Sequence, residues 1–568
     1  MGTGMRGFEA LAAALVAEGV DTVFGEIAGG VDRLSAILHS KHKIRYVKVR
    51  HEEVAIGMAD GYACATGKIG VAIVGSGPGL SNCGAAMLAA QMNKSRVLVI
   101  TGGHSPGSDR HGNMLTDQPP FLRATIGSIQ DCRTSATLSE DVALAFRHLR
   151  LGRGPIALHF FGSIASSEMP ADWQYTPRGL STVEITPTVP AAADIQDVVS
   201  RIQKCERPII LAGRGAHLAG AKPALLELAD RIGALLTTTL LARDLFAESP
   251  FSLGVSGGFA YEQCQLIMRD CDLLIAFGAS LSSHTLVYFN IHTQTEIIQI
   301  DSDPAALEDR LQMARAVNAD AKEMAQALLL SAPRVSRPDW RGPAMARRIK
   351  SVNRFHNRDL TERPGKANPR LVVDACDRLL PKERIISTDI GQFLGVPASY
   401  MRVLSPGDIV FPWQLGRVGC GLPVALGAAI GRPDRLVVTF LGDGGMMAAM
   451  HALDTVKAEG VPLLIVVMDN MGFESERWIF KKFGDDTWTA DYDTPDLARV
   501  AAAFGIEGYR VTSSAEMEEL LRSRDFRNRT ALIHVVVDTL THPTEMELSK
   551  GRIVPTHPNV PSHMSIEP

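Results

Sequence analysis

Short apolar runs alternate with amphipathic stretches along most of the chain, and most runs close on glycine or a small polar residue. In the first third, Val71–Val74, Arg96–Thr101 and Ile156–Phe160 predict buried strands, and Phe8–Glu18 predicts an amphipathic helix. The middle third repeats the rhythm, with strands at Pro208–Gly213, Leu273–Gly278 and Glu296–Asp301 and a helix at Lys222–Ile232. In the last third, strands are expected at Arg384–Asp389, Leu436–Phe440, Pro462–Met468 and Ala531–Val537. Helices are expected there at Leu422–Ile430, Met446–Glu459 and Pro495–Phe504. Continuous apolar strands separated by helices indicate an α/β fold with mostly parallel central sheets. The expected division is 1–175, 190–335 and 365–545, with an irregular tail at 546–568. Pro170 and Pro177 mark the exit from the first unit, and the Arg- and Pro-rich stretch Ser331–Asn368 reads as a link between domains with room for a helix.

Composition narrows this picture. A length of 568 residues fits three or four domains at roughly 150 residues each. With 46% hydrophobic and 21% charged residues, large-scale disorder is excluded. The 58 basic and 62 acidic residues leave a net charge of -4, which argues against nucleic acid as the main partner. No uncharged run reaches membrane-spanning length, and the first twenty residues lack a secretory pattern. The eight cysteines form no CxxC pair and read as free, mostly buried thiols in a reducing compartment. The expectation is therefore a cytoplasmic protein with no membrane partner.

The strongest chemical pattern is in the last third. A strand ends in Gly442–Asp443–Gly444–Gly445, a helix follows, and a second strand ends in Asp469–Asn470–Met471–Gly472–Phe473. Parallel strands would bring Asp443 and Asn470 together at the carboxyl edge of the sheet, where α/β folds bind ligands. Glycines let a phosphate approach the backbone, and a helix start points amides at it. A carboxylate and an amide carbonyl are hard oxygen donors suited to Mg²⁺ on a diphosphate. Glycine and Asp are also ordinary turn residues.

This pattern resembles the diphosphate and metal signature of thiamine-diphosphate-dependent enzymes, in which GDG is followed some residues later by Asn. Further segments carry the resemblance, specifically to the acetolactate-synthase-like group of pyruvate oxidases, decarboxylases and carboligases. They are Arg50–His51–Glu52–Glu53, Met58–Ala63, Ser76–Asn82, Asp389–Ile390–Gly391–Gln392 and Leu415–Pro423. The resemblance implies a pyrimidine-binding domain at 1–175, a central domain at 190–335 and a diphosphate-binding domain at 365–545. It implies Asp443, Asn470 and the Gly472 carbonyl as Mg²⁺ ligands. Cofactor contacts are implied at Glu52, Gly391, Gln392, Gly416, Val418, Gly442, Gly444, Gly445 and Phe473.

Glu52 is implied as the acid at N1′ of the aminopyrimidine. Taken as residues alone, Glu52 and Glu53 could equally be solvated residues at a helix start. Gly416 matches the position that accepts a hydrogen bond from the 4′-amino group, and Val418 the apolar wedge beneath the cofactor. His104 and Gln118 are candidate catalytic residues, and His111, Gln392, Trp413 and Gln414 are candidates to line the pocket. Phe473, Trp478, Ile479 and Phe480 are either core contacts or a cap on an apolar site.

Two places depart from the family. Phe24–Gly25–Glu26–Ile27–Ala28–Gly29–Gly30 puts a carboxyl at the expected substrate entrance, and Asp469 replaces the usual asparagine. A carboxylate at Glu26 disfavours a small anionic 2-oxo acid. In the central domain, Gly213–Arg214–Gly215–Ala216 could be a structural turn or hold FAD or a CoA nucleotide. The function implied is a thiamine-diphosphate-dependent lyase or carboligase that forms or cleaves a C–C bond next to the carbonyl of a 2-oxo acid or 2-hydroxy ketone. The alternatives are a non-ligating decarboxylase and a catalytically silent cofactor-binding paralogue. The partners implied are a small carbonyl substrate and further copies of the chain, as a homodimer or homotetramer.

Overall fold

A computed structural model of the chain describes residues 4–27, 29, 31–103, 113–114, 116–177, 186–286, 295–308, 313–411 and 414–538. His104, His111, Trp413, Ala28, Gly30 and the expected tail at 546–568 lie outside the described residues.

Among the described residues, eighteen strands form three six-stranded sheets, and every strand pair is parallel. The first sheet holds β1 Thr22–Gly25, β2 Arg45–Lys48, β3 Gly70–Val74, β4 Val97–Gly103, β5 Ile129–Cys132 and β6 Ile156–Phe161, in the order 2-1-3-4-6-5. The second holds β7 Pro208–Ala212, β8 Leu235–Thr238, β9 Ser252–Val255, β10 Leu273–Phe277, β11 Glu296–Asp301 and β12 Arg315–Asn318, in the order 12-11-10-7-8-9. The third holds β13 Ile385–Thr388, β14 Ile409–Val410, β15 Val437–Gly442, β16 Leu463–Asp469, β17 Glu507–Val511 and β18 Thr530–Val536, in the order 14-13-15-16-18-17. Counted from its own first strand, the third sheet repeats the order of the first. The middle sheet is the doubly wound 3-2-1-4-5-6 arrangement read from its other edge.

The ten strands expected from apolar runs are all present, within one or two residues at their ends. They form the centre of each sheet, where helices cover both faces and a strand must be apolar throughout. One other expectation is corrected. The single helix at Met446–Glu459 is two helices, Asp443–Ala448 and Ala452–Glu459, the first ending where Ala448 meets the Gly419 backbone. The stretch Ser331–Asn368 includes a helix and packs on the central domain. Arg337 is buried and donates to the carbonyls of Ile202 and Cys205, Trp340 Nε1 donates to the Pro208 carbonyl at 2.9 Å, and Pro343–Lys350 is helical.

The first and third sheets meet through two helices, Glu52–Thr66 and Gly421–Gly431. Glycines set their approach. A Cβ on Gly61 would overlap the Val424 backbone, and one on Gly427 would overlap the Met58 carbonyl. Glu52 thus begins a helix whose apolar length is locked between two domains.

Candidate active site

The third sheet reverses its strand order between β13 and β15, and a crevice opens at their carboxyl ends. A cavity of about 220 Å³ lies there. Its lining includes Gly391, Gln392, Gly416, Val418, Gly442, Asp443, Gly444, Gly445, Asn470, Gly472 and Phe473. Every cofactor-contact residue expected in the last third is therefore brought together. All the described lining residues fall between 369 and 538, so among the described residues Glu52 and Gln118 do not share this wall.

Asp443 starts a short helix with Gly442 as its cap. Its Oδ1 accepts from the Gly444 amide at 2.8 Å and the Tyr492 hydroxyl at 3.0 Å, and its Oδ2 accepts from the Gly472 amide at 3.0 Å. Burial, and then contact with Asp469, raise the Asp443 carboxyl above the usual range. Burial works against Asp469 as well, but its hydrogen bonds with His534 and Asp443 hold it below that range. His534 Nε2 is 2.8 Å from Asp469 Oδ2. Asp469, the departure from the family pattern, is thus an ionised anchor beneath the site.

Asn470 Nδ2 donates to Glu474 Oε2 at 3.0 Å, which turns the amide so that its oxygen is the end left for a cation. Arg477 donates to the carbonyls of Asn470 and Met471 and is ion-paired with Glu474 and Asp491. Met471 takes a left-handed φ of 59°. A Cβ on Gly472 would overlap the Ala490 carbonyl and the Arg477 guanidinium, so only glycine fits there. Asp443, the Asn470 oxygen and the Gly472 carbonyl form an all-oxygen donor set matching Mg²⁺. Gly416, at φ 71°, has no neighbouring atom where a Cβ would stand and leaves room for a flat ring.

Sequence reasoning passed over the group that holds this wall together. Asp389 is fully buried and accepts backbone hydrogen bonds from Gly419 at 2.8 Å, Cys420 at 3.1 Å and Gly421 at 3.2 Å. It clamps the loop that carries Gly416 and Val418. A Cβ on Gly445 would overlap its Oδ2. Its sequence signals were its place at the end of a buried strand and in the Asp389–Gln392 segment of the resemblance, and neither pointed to this clamp. Tyr492 was also missed, because its contact with Asp443 depends on a fold-back that spacing does not encode, and so was Glu474, although it lies only four residues from Asn470.

The second cluster lies at the carboxyl edge of the first sheet. Glu52 is 8% exposed, and its Oε2 accepts from Asn82 Nδ2 at 3.1 Å. Gly79 packs so closely that a Cβ would come within 2.6 Å of Glu52 Oε1. Glu26, at the end of β1, is in hydrogen-bond contact with Glu52, and burial together with the Glu52 charge raises its carboxyl above the usual range. Gln118 is buried, and its amide is used inside the protein. Its Oε1 accepts from the Gly77 amide at 2.9 Å, and its Nε2 donates to the Gly102 carbonyl at 2.7 Å and lies 3.0 Å from His159 Nε2. His159 Nδ1 in turn lies 2.9 Å from Asp131. In the third sheet, the helix Glu474–Phe483 buries only Arg477, while Phe473, Ile479, Phe483 and the following Trp488 are exposed. Among the described residues, Phe473 and Ile479 are therefore not core contacts, while Trp478 and Phe480 are half-buried.

Comparison with known proteins agrees with this layout. Three family models match in order: the N-terminal TPP binding domain of thiamine pyrophosphate enzymes at residues 5–121, their central domain at 195–328 and their C-terminal TPP binding domain at 389–535. The chain is 29% identical to the acetolactate synthase isozyme 2 large subunit of Escherichia coli, over 94% of this chain and 96% of that one. It is 27% identical to a probable acetolactate synthase large subunit of Methanococcus aeolicus, over 94% and 92%. It is 28% identical to a sulfoacetaldehyde acetyltransferase of Alcaligenes xylosoxydans, over 88% and 87%. With three family models matching in order and acetolactate synthase large subunits among its relatives, the chain belongs to the thiamine-diphosphate-dependent enzyme superfamily, in its acetolactate-synthase-like group.

Proposed function

We propose that this protein is a thiamine-diphosphate- and Mg²⁺-dependent lyase or carboligase that makes or breaks a C–C bond next to a carbonyl. The observation that carries this reading is the glycine-lined cavity holding Asp443, Asn470 and Gly472 as an oxygen donor set. Thiamine diphosphate, when bound, supplies the electron sink for carbanion chemistry at a carbonyl carbon. Asp443, the Asn470 oxygen and the Gly472 carbonyl hold the metal, and Gly444 and Gly445 leave the diphosphate room. Val418 supports the cofactor from below. Asp389 fixes the loop that carries Gly416 and Val418.

Glu52 holds a proton at N1′ of the aminopyrimidine, and Asn82 orients its carboxyl. The Glu26 carboxyl beside it favours an uncharged donor, such as a 2-hydroxy ketone or diketone, over a small 2-oxo acid anion. Gln118, with its amide committed to Gly77 and Gly102, is a positioning residue for the loop near Glu52. Since the cavity wall comes wholly from the C-terminal domain, Glu52 of a second copy completes the site. The functional unit is then a homodimer or a pair of homodimers. The exposed Phe473, Ile479, Phe483 and Trp488 supply apolar surface for that copy to cover. In the central domain, Gly213 and Gly215 serve packing rather than FAD or a CoA nucleotide.

The test is C2 proton exchange in the bound cofactor, followed by NMR after acid quench. Wild-type protein with Mg²⁺ exchanges faster than free cofactor, and Glu52→Gln slows exchange by roughly 10²–10⁴-fold. Equal slow rates in wild type and Glu52→Gln overturn the reading and leave a silent cofactor binder. Product formation that depends on an added aldehyde or ketone separates ligation from simple decarboxylation.

A further inference from the structure

The two neighbours of Glu52 in the chain, His51 and Glu53, meet His451 of the C-terminal domain. One ligand atom from each of the three lies within 4.8 Å of the other two. His451 Nε2 is 3.8 Å from Glu53 Oε1, beyond hydrogen-bond reach, and the two imidazole rings stand 5.0 Å apart between centroids. His51 Nδ1 and His451 Nε2 are shut off from water and have no hydrogen-bond partner among the described residues. Two buried, unpaired ring nitrogens in one place call for an occupant. Glu53 is already oriented, since its other oxygen pairs with Arg417 at 2.5 Å. An outer hydrogen bond of this kind is what a metal-ligating carboxylate normally has.

We infer that His51, Glu53 and His451 form a divalent transition-metal site, of the two-imidazole, one-carboxylate type that suits Zn²⁺, joining the N-terminal and C-terminal domains beside Glu52. Nitrogen donors distinguish it from the oxygen set at Asp443, which suits a hard cation. Bonds of about 2.0–2.2 Å around a tetrahedral ion space the ligands roughly 3.4 Å apart, so side-chain shifts on the order of 1 Å close the site. A fourth position is left for water. His51 immediately precedes the Glu52–Thr66 helix, and His451 immediately precedes the Ala452–Glu459 helix. The ion therefore ties two helix starts together and fixes the turn that presents Glu52.

The test uses the full chain saturated with Mg²⁺ and thiamine diphosphate, so that the oxygen site is already filled. Zn²⁺ is titrated by calorimetry. Wild type takes up one ion per chain, His451→Gln and His51→Gln lose that uptake, and Arg417→Met weakens it by roughly 10–100-fold. Near-UV circular dichroism verifies that each variant is folded. X-ray absorption at the zinc edge of the wild-type protein gives a readout that needs no variant, and two imidazole ligands are expected. Zn²⁺ uptake unchanged in a folded His451→Gln, a zinc edge without imidazole, or no uptake by wild type would each overturn the site.

Discussion

Two sheet edges in this molecule look alike in sequence and behave oppositely in space. The β7 and β10 ends of the central domain and the β13 and β15 ends of the C-terminal domain both lie where strand order reverses, and both carry glycines. In the central domain the glycines close on each other. The Gly213 amide donates to the Phe277 carbonyl at 2.8 Å and Gly215 to Gly278 at 3.0 Å, and a Cβ on Gly213 would overlap the Gly278 carbonyl. In the C-terminal domain the glycines are held apart. Asp389 draws the 419–421 backbone toward itself, Asp443 takes the Gly472 amide from across the sheet, and Gly416 faces open space. A glycine turn is therefore a ligand cradle only when buried polar groups hold its neighbours open. Without them the same residues give close backbone packing.

The largest effect should come from removing the group that holds the cradle. Asp443→Asn is expected to weaken uptake of the Mg²⁺–thiamine diphosphate pair by about 2–5 kcal/mol, read by calorimetry with the full chain. Undiminished uptake would mean that the two edges do not differ as described. Next comes the closed edge. Gly213→Ala forces backbone apart and should destabilise the central domain by about 1–3 kcal/mol, seen as a lower first transition in differential scanning calorimetry. Cofactor uptake should be unchanged, and a loss would show the two edges to be linked.

A third prediction concerns the edge of the first sheet. Glu26→Gln removes an ionisable carboxyl at the substrate entrance and should raise kcat/KM for anionic 2-oxo acids, relative to uncharged ketones, by about 1 kcal/mol at a pH where that carboxyl is ionised. An unchanged ratio would place Glu26 outside substrate selection. The smallest effect is expected at the central domain again. Added FAD should produce no shift in that domain's melting transition, and the purified protein should carry no flavin absorbance. A retained flavin would make the closed edge a second binding edge.

How much of this was legible along the chain depended on burial. Ile156–Phe161 and Leu463–Asp469 are buried at every position and read as strands without help. The strands toward the sheet margins did not. Arg45–Lys48 and Glu507–Val511 are short and each buries a single residue, so their apolar signal is lost among loops. Leu235–Thr238 is buried throughout but has only four residues, too few to show a period.

The site divides in the same way. Gly442–Gly445 and Asp469–Gly472 could be found because strand, glycine turn and ligand are consecutive in sequence. The clamp of Asp389 on residues 419–421, the pairing of Glu26 with Glu52 and the meeting of His51 with His451 join positions far enough apart that only packing brings them together.

Sequence alone determined three α/β units, their central strands and the chemistry available at the last one, because local apolar pattern and turn residues encode these directly. Tertiary structure alone decided which glycine edge stays open, which carboxyls meet and which histidines meet. Those outcomes depend on distances between separate elements, and such distances are fixed only once the sheets and the two helices between them have packed.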